Sequence, residues 1–130
     1  MRYRRDRGSA VIELALLLPI VTMLLLGLIE IGNALNGYLT VSEASRDSAR
    51  LIVRVGPTAD IYGLTRTLTE RLPLSNVQAN ASYGFDMKGN KTVTVEVKYD
   101  YKFLAGYVPV VAKFMPNPFT LTARTTMPIP

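Results

Sequence analysis

Between Leu14 and Ile29 lie sixteen consecutive residues without one ionisable side chain, LALLLPIVTMLLLGLI, and this run limits what the chain can fold into. As a helix it covers roughly 24 Å at 1.5 Å per residue, slightly short of a bilayer core of about 30 Å. Extension to Ala10 and Leu35 supplies the missing length, and it sets Glu13 and Glu30 at or inside the membrane boundary. A removable signal sequence would have a shorter core, about 7 to 15 residues, ending in small residues at a cleavage site. The far end here, Gly27-Leu28-Ile29-Glu30-Ile31-Gly32-Asn33, has no such pattern. The run therefore reads as a retained membrane helix.

Its flanks set an orientation. Arg2, Arg4, Arg5 and Arg7 crowd the near side, offset only by Asp6, and the next basic residue is Arg46. By the positive-inside bias the N-terminus is expected in the cytoplasm and everything from about Asn33 on the far side. Those arginines also account for most of the formal charge of +5. Residues 1–8 hold four of them and one aspartate, a net of +3, so the remainder carries about +2, an ordinary balance. No basic stripe with interleaved aromatics is left, and nucleic acid is not an expected partner.

The chain has neither cysteine nor histidine. Disulfides, thiolate chemistry and the usual zinc, haem and iron-sulfur ligand sets are excluded with them, as are catalytic triads built on His or Cys. Phosphate-binding glycine loops and calcium-loop spacing are missing too, so no cofactor, metal or catalytic residue is expected.

The junction between leader and helix is more specific. Gly8 is followed by Ser9-Ala10-Val11-Ile12, then Glu13, then the apolar run. A glycine at the mouth of a membrane helix offers a bendable peptide bond with no side chain to exclude a protease. A carboxylate five residues on, in otherwise apolar sequence, is costly in lipid and calls for a partner. The other reading of Glu13 is a residue resting in the headgroup layer. Pro19 removes the hydrogen bond to the carbonyl of Ala15 and favours a kink. Glu30 fits either a contact with a partner helix or an interface position outside the membrane. Seventeen residues apart, Glu13 and Glu30 are about 260° round a helix from one another and cannot form one paired-carboxylate site.

Basic leader, Gly8, four residues, Glu13 and a hydrophobic helix resemble the type IV prepilin pattern. More narrowly, RGSAVIELALLLPIVTMLLLGLIEIGNAL followed by SEASRDSARLIV resembles the TadE-like pseudopilins of the tight-adherence (Tad, or Flp) pilus system, well over residues 7 to 55 and loosely beyond. The resemblance implies that Gly8 precedes a cut by a membrane aspartyl prepilin peptidase and that Ser9 becomes the new N-terminus. Glu13 would be the acidic residue five places into the mature chain, and Leu14 departs from the pattern, which more often has an aromatic there. The implied partners are that peptidase, the major Flp pilin, a TadF-like pseudopilin, the inner-membrane assembly platform and membrane lipid. A freed Ser9 amine near Glu13 of its own or a neighbouring helix would neutralise the carboxylate and set axial register.

Beyond Asn33 the helical period continues, with Tyr38, Val41, Ala44, Ser45, Ser48, Ala49, Ile52 and Val55 on one stripe. Arg46, Arg50 and Arg54, relieved by Glu43 and Asp47, read as a solvated row in preference to a partner-binding strip, and Gly56-Pro57 ends the helix. Thr58 is the expected cap of a second helix that buries Ile61, Leu64, Leu68 and Leu72 against a sheet and stops at Pro73. The period then changes to two. Val77–Tyr83 alternates as a strand, Asp86–Asn90 turns, and Val93, Val95, Val97, Tyr99 and Tyr101 form the apolar face of a second strand. Phe103 to Met115 reads as an apolar loop with room for a short helix, and Phe103, Leu104, Tyr107, Val108, Val110 and Val111 read as cover for the sheet, the other reading being a neighbouring subunit. Phe119, Leu121, Ala123, Thr125 and Met127 make a third strand.

The expected architecture is α+β and pilin-like: a long N-terminal helix, its first half transmembrane, carrying a second helix and an antiparallel sheet of about three strands. Its parts are a basic leader (1–8), a transmembrane and assembly helix (9–36), an extracytoplasmic continuation (37–56) and a small α+β domain (57–130). The expected location is a bacterial inner membrane, single-pass, with the C-terminal domain periplasmic, and the surface pilus for a processed form that enters the filament. Two rivals remain: an uncleaved single-pass anchor whose periplasmic domain is a protein-interaction module, and a periplasmic enzyme using Ser, Lys and Asp or Glu, which would need those residues gathered in a pocket.

Overall fold

The computed structural model describes residues 3–72, 77–104, 113–114 and 118–130, with side chains inside the first helix from Gly8 on. The elements run α1 (Tyr3–Val55), α2 (Ile61–Thr69), β1 (Val77–Phe85), β2 (Lys91–Tyr101) and β3 (Phe119–Pro128). Two compact units divide the chain, Met1–Asn33 and Ala34–Pro130. The first is a single helical segment; the second contains the core. Expectations for Pro73, Tyr107, Val108, Val110 and Val111 lie outside the described residues, and so does Arg2.

In the second unit the sheet has the order β1-β2-β3, antiparallel throughout. The period-two reading of the sequence matches it: Val93, Val95, Val97, Tyr99 and Tyr101 are all buried, while the residues between them are half-buried. The register starts at the turn. Asp86 accepts from the backbone of Lys88 and Asn90, both at 2.8 Å, and from the Asn90 side chain at 3.0 Å. Gly89 takes φ of 82°, which completes the reversal and sets Phe85 opposite Lys91. Across β2, Ala123 of β3 faces Val97, so one line of small and branched side chains runs over the sheet.

The end of α1 lies on that line. Its buried residues are Gly37, Val41, Ala44, Ser45, Ser48, Ala49 and Ile52, mostly small, which lets backbone approach the sheet closely. A Cβ at Gly37 would sit 3.2 Å from Cε1 of Tyr99. Ser45 donates to the carbonyl of Ser42 at 2.8 Å and so accepts from Thr125 at 2.7 Å, linking helix to β3 without an unpaired hydroxyl. Two expected members of the stripe are displaced: Tyr38 is 44% exposed and Val55 60% exposed. Tyr38 lies 100° round the helix from Gly37, and the space over Gly37 is filled by the Tyr99 ring. At the other end Gly56, with φ of 96° and its N–H on the Ile52 carbonyl at 2.8 Å, turns the chain away from Val55.

Asp60, not Thr58, caps α2. Its Oδ1 accepts from the Gly63 backbone at 2.9 Å, the bond an N-cap makes to the third helical residue, whereas Thr58 is held in the turn after Gly56-Pro57. The buried line of α2 is Ile61, Thr65 and Thr69, and Leu64, Leu68 and Leu72 are half-buried. The helix is rotated from the expected leucine face because Thr65 meets Ser48 of α1 at 3.1 Å, and the Thr69 hydroxyl is satisfied internally on the Thr65 carbonyl at 2.7 Å. It packs on β1, as expected. Phe103 is half-buried against the core, extending an edge-to-face chain of rings from Tyr99 through Tyr101 to Phe119, whereas Leu104 is 69% exposed and does not serve as cover.

The Tyr99 hydroxyl is buried with no hydrogen-bond partner among the described residues, and burial pushes its phenol above the usual range. An unpaired buried hydroxyl is destabilising, and a phenol whose folded pKa is raised withdraws stability as pH climbs past its ordinary value of 10.0. Tyr99→Phe should therefore leave stability unchanged or raise it by about 1 kcal/mol at neutral pH. It should also reduce the loss of thermal midpoint above pH 10, followed by near-UV circular dichroism of the full chain in detergent. Gly37→Leu should do the opposite, lowering stability by about 1–3 kcal/mol through overpacking against the same ring.

Candidate functional segment

From Gly8 to Ile29 every residue except half-buried Gly27 is exposed, although seventeen of these twenty-two positions are Leu, Ile, Val, Ala, Met or Pro. An exposed apolar surface of this extent has no stable place in water. It contains an eighteen-residue window of mean hydropathy 2.5, none of it buried, and is the one helix among the described residues long and apolar enough to cross a membrane. Pro19 interrupts neither the helical assignment nor the run. One turn on, the Thr22 hydroxyl donates to the Leu18 carbonyl at 2.8 Å, the kind of side-chain bond that supports helix backbone near a proline in lipid.

The expected processing residues lie at the start of this surface. Gly8 and Ser9 are exposed, and the peptide between them is helical. Ser9 Oγ donates to Glu13 Oε1 at 3.4 Å, so the residue after the glycine and the carboxylate share one helix face. Arg4, Arg5 and Arg7 belong to the first turns of α1. Glu30 differs from Glu13: it is 7% exposed and is engaged in an interaction, so the two glutamates are separated by environment as well as by rotation.

Arg46, Arg50 and Arg54 are exposed, with Arg50 3.5 Å from Asp47, in keeping with a solvated row. No cluster of three or more potential metal ligands occurs among the described residues. One feature of the domain could not be read from spacing alone. On the outward face of the sheet Arg124 donates from Nε to Glu96 Oε2 at 3.1 Å, and Lys98 lies 2.9 Å from Oε1. Twenty-eight residues separate Glu96 from Arg124, and only the β2–β3 register, in which they are directly opposite, brings them together.

Residues 8–50 match the family model described as TadE-like protein. No curated protein and no solved structure matches the chain significantly. The matched region begins at Gly8 and includes Ser9, Glu13, Pro19 and Glu30, the residues singled out in the sequence.

Arg124 foremost, then Lys98, hold the Glu96 carboxyl below its ordinary 4.5, and the Asn90 side chain, followed by turn backbone, holds Asp86 below its ordinary 3.8. Depressed acids contribute stability that is present above the ordinary value and is lost as pH falls through the lowered one. The thermal midpoint should therefore fall on acidification below about pH 4.5. Glu96→Gln should flatten that fall, and salt should weaken the wild-type effect because the Arg124 side of the pair is exposed.

Proposed function

We propose that this chain, with its TadE-like pattern over residues 8–50, is a pseudopilin or minor pilin of a Tad-type pilus system. On this reading it is held in the inner membrane by α1 and matured by cleavage after Gly8. The observation that carries the proposal is the coincidence of that match with an exposed apolar helical surface that begins with Gly8, Ser9 and Glu13. Its role is structural, and the peptidase that cuts it is the enzyme of the system.

The chemistry follows from the first mature turn. Proteolysis needs an extended peptide, so the Gly8–Ser9 bond must leave the helix, and glycine lowers the cost of unwinding by about 1 kcal/mol relative to alanine. Cleavage removes Arg2, Arg4, Arg5 and Arg7, the charges that oppose withdrawal of this end through the bilayer. It also leaves a cationic amine on Ser9, whose side chain already reaches Glu13. A carboxylate deep in a membrane costs about 2.5–3.5 kcal/mol on insertion scales, and an amine from its own or a neighbouring helix offsets this. In a bundle of such helices the pairing fixes axial register. The major Flp pilin, a TadF-like pseudopilin and the assembly platform are the partners on this reading, with the C-terminal unit periplasmic.

In the native host, mass spectrometry of the membrane-extracted protein should show the chain starting at Ser9, and Gly8→Arg should leave residues 1–8 attached. An unchanged wild-type mass would instead identify an uncleaved anchor whose outer unit binds a partner. Glu13→Gln should leave membrane insertion intact and abolish piliation, scored on sheared surface filaments. Piliation at the wild-type level would overturn the assembly role of Glu13.

A further inference from the structure

The two outer strands of the sheet are guarded differently. In the order β1-β2-β3, both β1 and β3 have a strand on one side only among the described residues, so each directs alternate backbone N–H and C=O groups outward. β3 carries Arg124 near its middle and Pro128 at its end, residue types that discourage pairing with another chain. β1, VQANASYGF, has no charged residue and no proline. Its register on β2 runs from Val77 opposite Tyr99 to Phe85 opposite Lys91 without a bulge. Charge, proline and bulge are the usual protections of an edge, and β1 has none of them.

The half of β1 nearest the turn is also apolar on one face. Ala79 is buried, and Ala81, Tyr83 and Phe85 share its face by the period of two. α2 packs on this strand, yet Tyr83 and Phe85 stay 53% and 72% exposed. A row of backbone donors and acceptors beside two exposed rings is matched by an extended chain, which supplies both the hydrogen-bonding groups and the alternating side chains.

The sequence about Tyr83 fits its own copy. Antiparallel pairing of identical strands closes on a two-fold axis, so one patch serves both molecules. With the axis at Tyr83, Ala81 lies opposite Phe85 of the second copy, Ser82 opposite Gly84, and Tyr83 opposite its equivalent. The small Ala81 leaves room for the Phe85 ring, the tyrosines form an aromatic cross-strand pair, and with no charge on β1 no like charges meet.

We propose that β1 is a self-association edge, on which residues 81–85 pair antiparallel with residues 81–85 of a second copy and join the two three-stranded sheets into one. The pairing uses neither Gly8 nor Ser9, so it goes beyond the pilus reading and does not rest on it.

Because the chain has no cysteine, single replacements report this pairing directly. In the full chain in detergent, Tyr83→Cys should give a disulfide-linked dimer on mild oxidation, since directly opposite residues lie about 4.5–5.5 Å apart at Cα. Asn80→Cys, three positions from the axis and about 20 Å from its equivalent, should give about tenfold less, as should Thr122→Cys, exposed on β3. Copies with Ser82→Cys and copies with Gly84→Cys, which keep both rings, should cross-link to each other more than either does alone. Phe85→Lys should lower the Tyr83→Cys yield about tenfold by setting a charge on the apolar face of the edge. Its near-UV circular dichroism should match wild type because the ring is exposed; if the spectrum is lost, Phe85→Ser takes its place. Equal yields at positions 80, 83 and 122 would mean collision within micelles and overturn the proposal, as would absence of dimer both at position 83 and in the mixed copies, or a yield indifferent to Phe85. Gly8→Arg should dimerise like wild type, so failed maturation with the cross-link retained counts for self-association whatever becomes of the pilus reading, and a cross-link lost with the leader retained counts against it.

Discussion

The second unit depends on how closely a helix can lie on a sheet. Gly37, Ala44, Ser45, Ser48 and Ala49 put almost no side chain between α1 and the apolar column of β2, so the bulk needed to fill the interface comes from the sheet side, from valines and the Tyr99 ring. Close approach brings polar backbone and hydroxyls into a dry interior, and the serines resolve this by pairing, Ser45 with Thr125 and Ser48 with Thr65. Those bonds have directions, and they select one rotation of α1 and α2 where an all-alanine stripe would tolerate several. Tyr99 is the exception, a hydroxyl carried into the core by the ring that fills the space over Gly37.

That arrangement explains which parts of the fold could be read in advance. The strands were legible because each has one buried face, and a one-residue slip of Val93 to Tyr101 would expose the whole set. The turn was legible because Asp86, Gly89 and Asn90 each perform a distinct local function in it. The rotation of α2 was not, since leucines at 64 and 68 predict burial on transfer energy alone, and the preference for Thr65 arises from a hydroxyl 17 residues earlier on another helix. Likewise Asp60 and Thr58 are both competent caps by composition, and the turn after Gly56 decides between them.

The candidate segment was legible for a different reason. A membrane-spanning helix satisfies its backbone internally and needs no tertiary partner to be specified, so its length, flanks and isolated charges stand in the sequence directly. Gly8, Ser9 and Glu13 lie within one such helix, and their mutual geometry follows from helical repeat. The Glu96–Arg124 pair is not of this kind: it joins two strands 28 residues apart, and only their pairing register creates it.

Two glutamates bracket the same apolar run, and the structure gives them opposite settings. Glu30 is covered and engaged in an interaction within the chain. Glu13 is exposed along an apolar surface, with the Ser9 hydroxyl at 3.4 Å as its hydrogen-bond contact, a weak partner for a carboxylate taken out of water. On the proposed reading, compensation for Glu13 would come with maturation. The nearest source is the amine that hydrolysis after Gly8 would create on Ser9, one helical turn away. A single covalent event would then remove the leader charges that hold this end at the membrane face and supply the cation that lets Glu13 enter it. On the proposed reading, anchorage and assembly would be coupled in this way through the first turn of the processed helix.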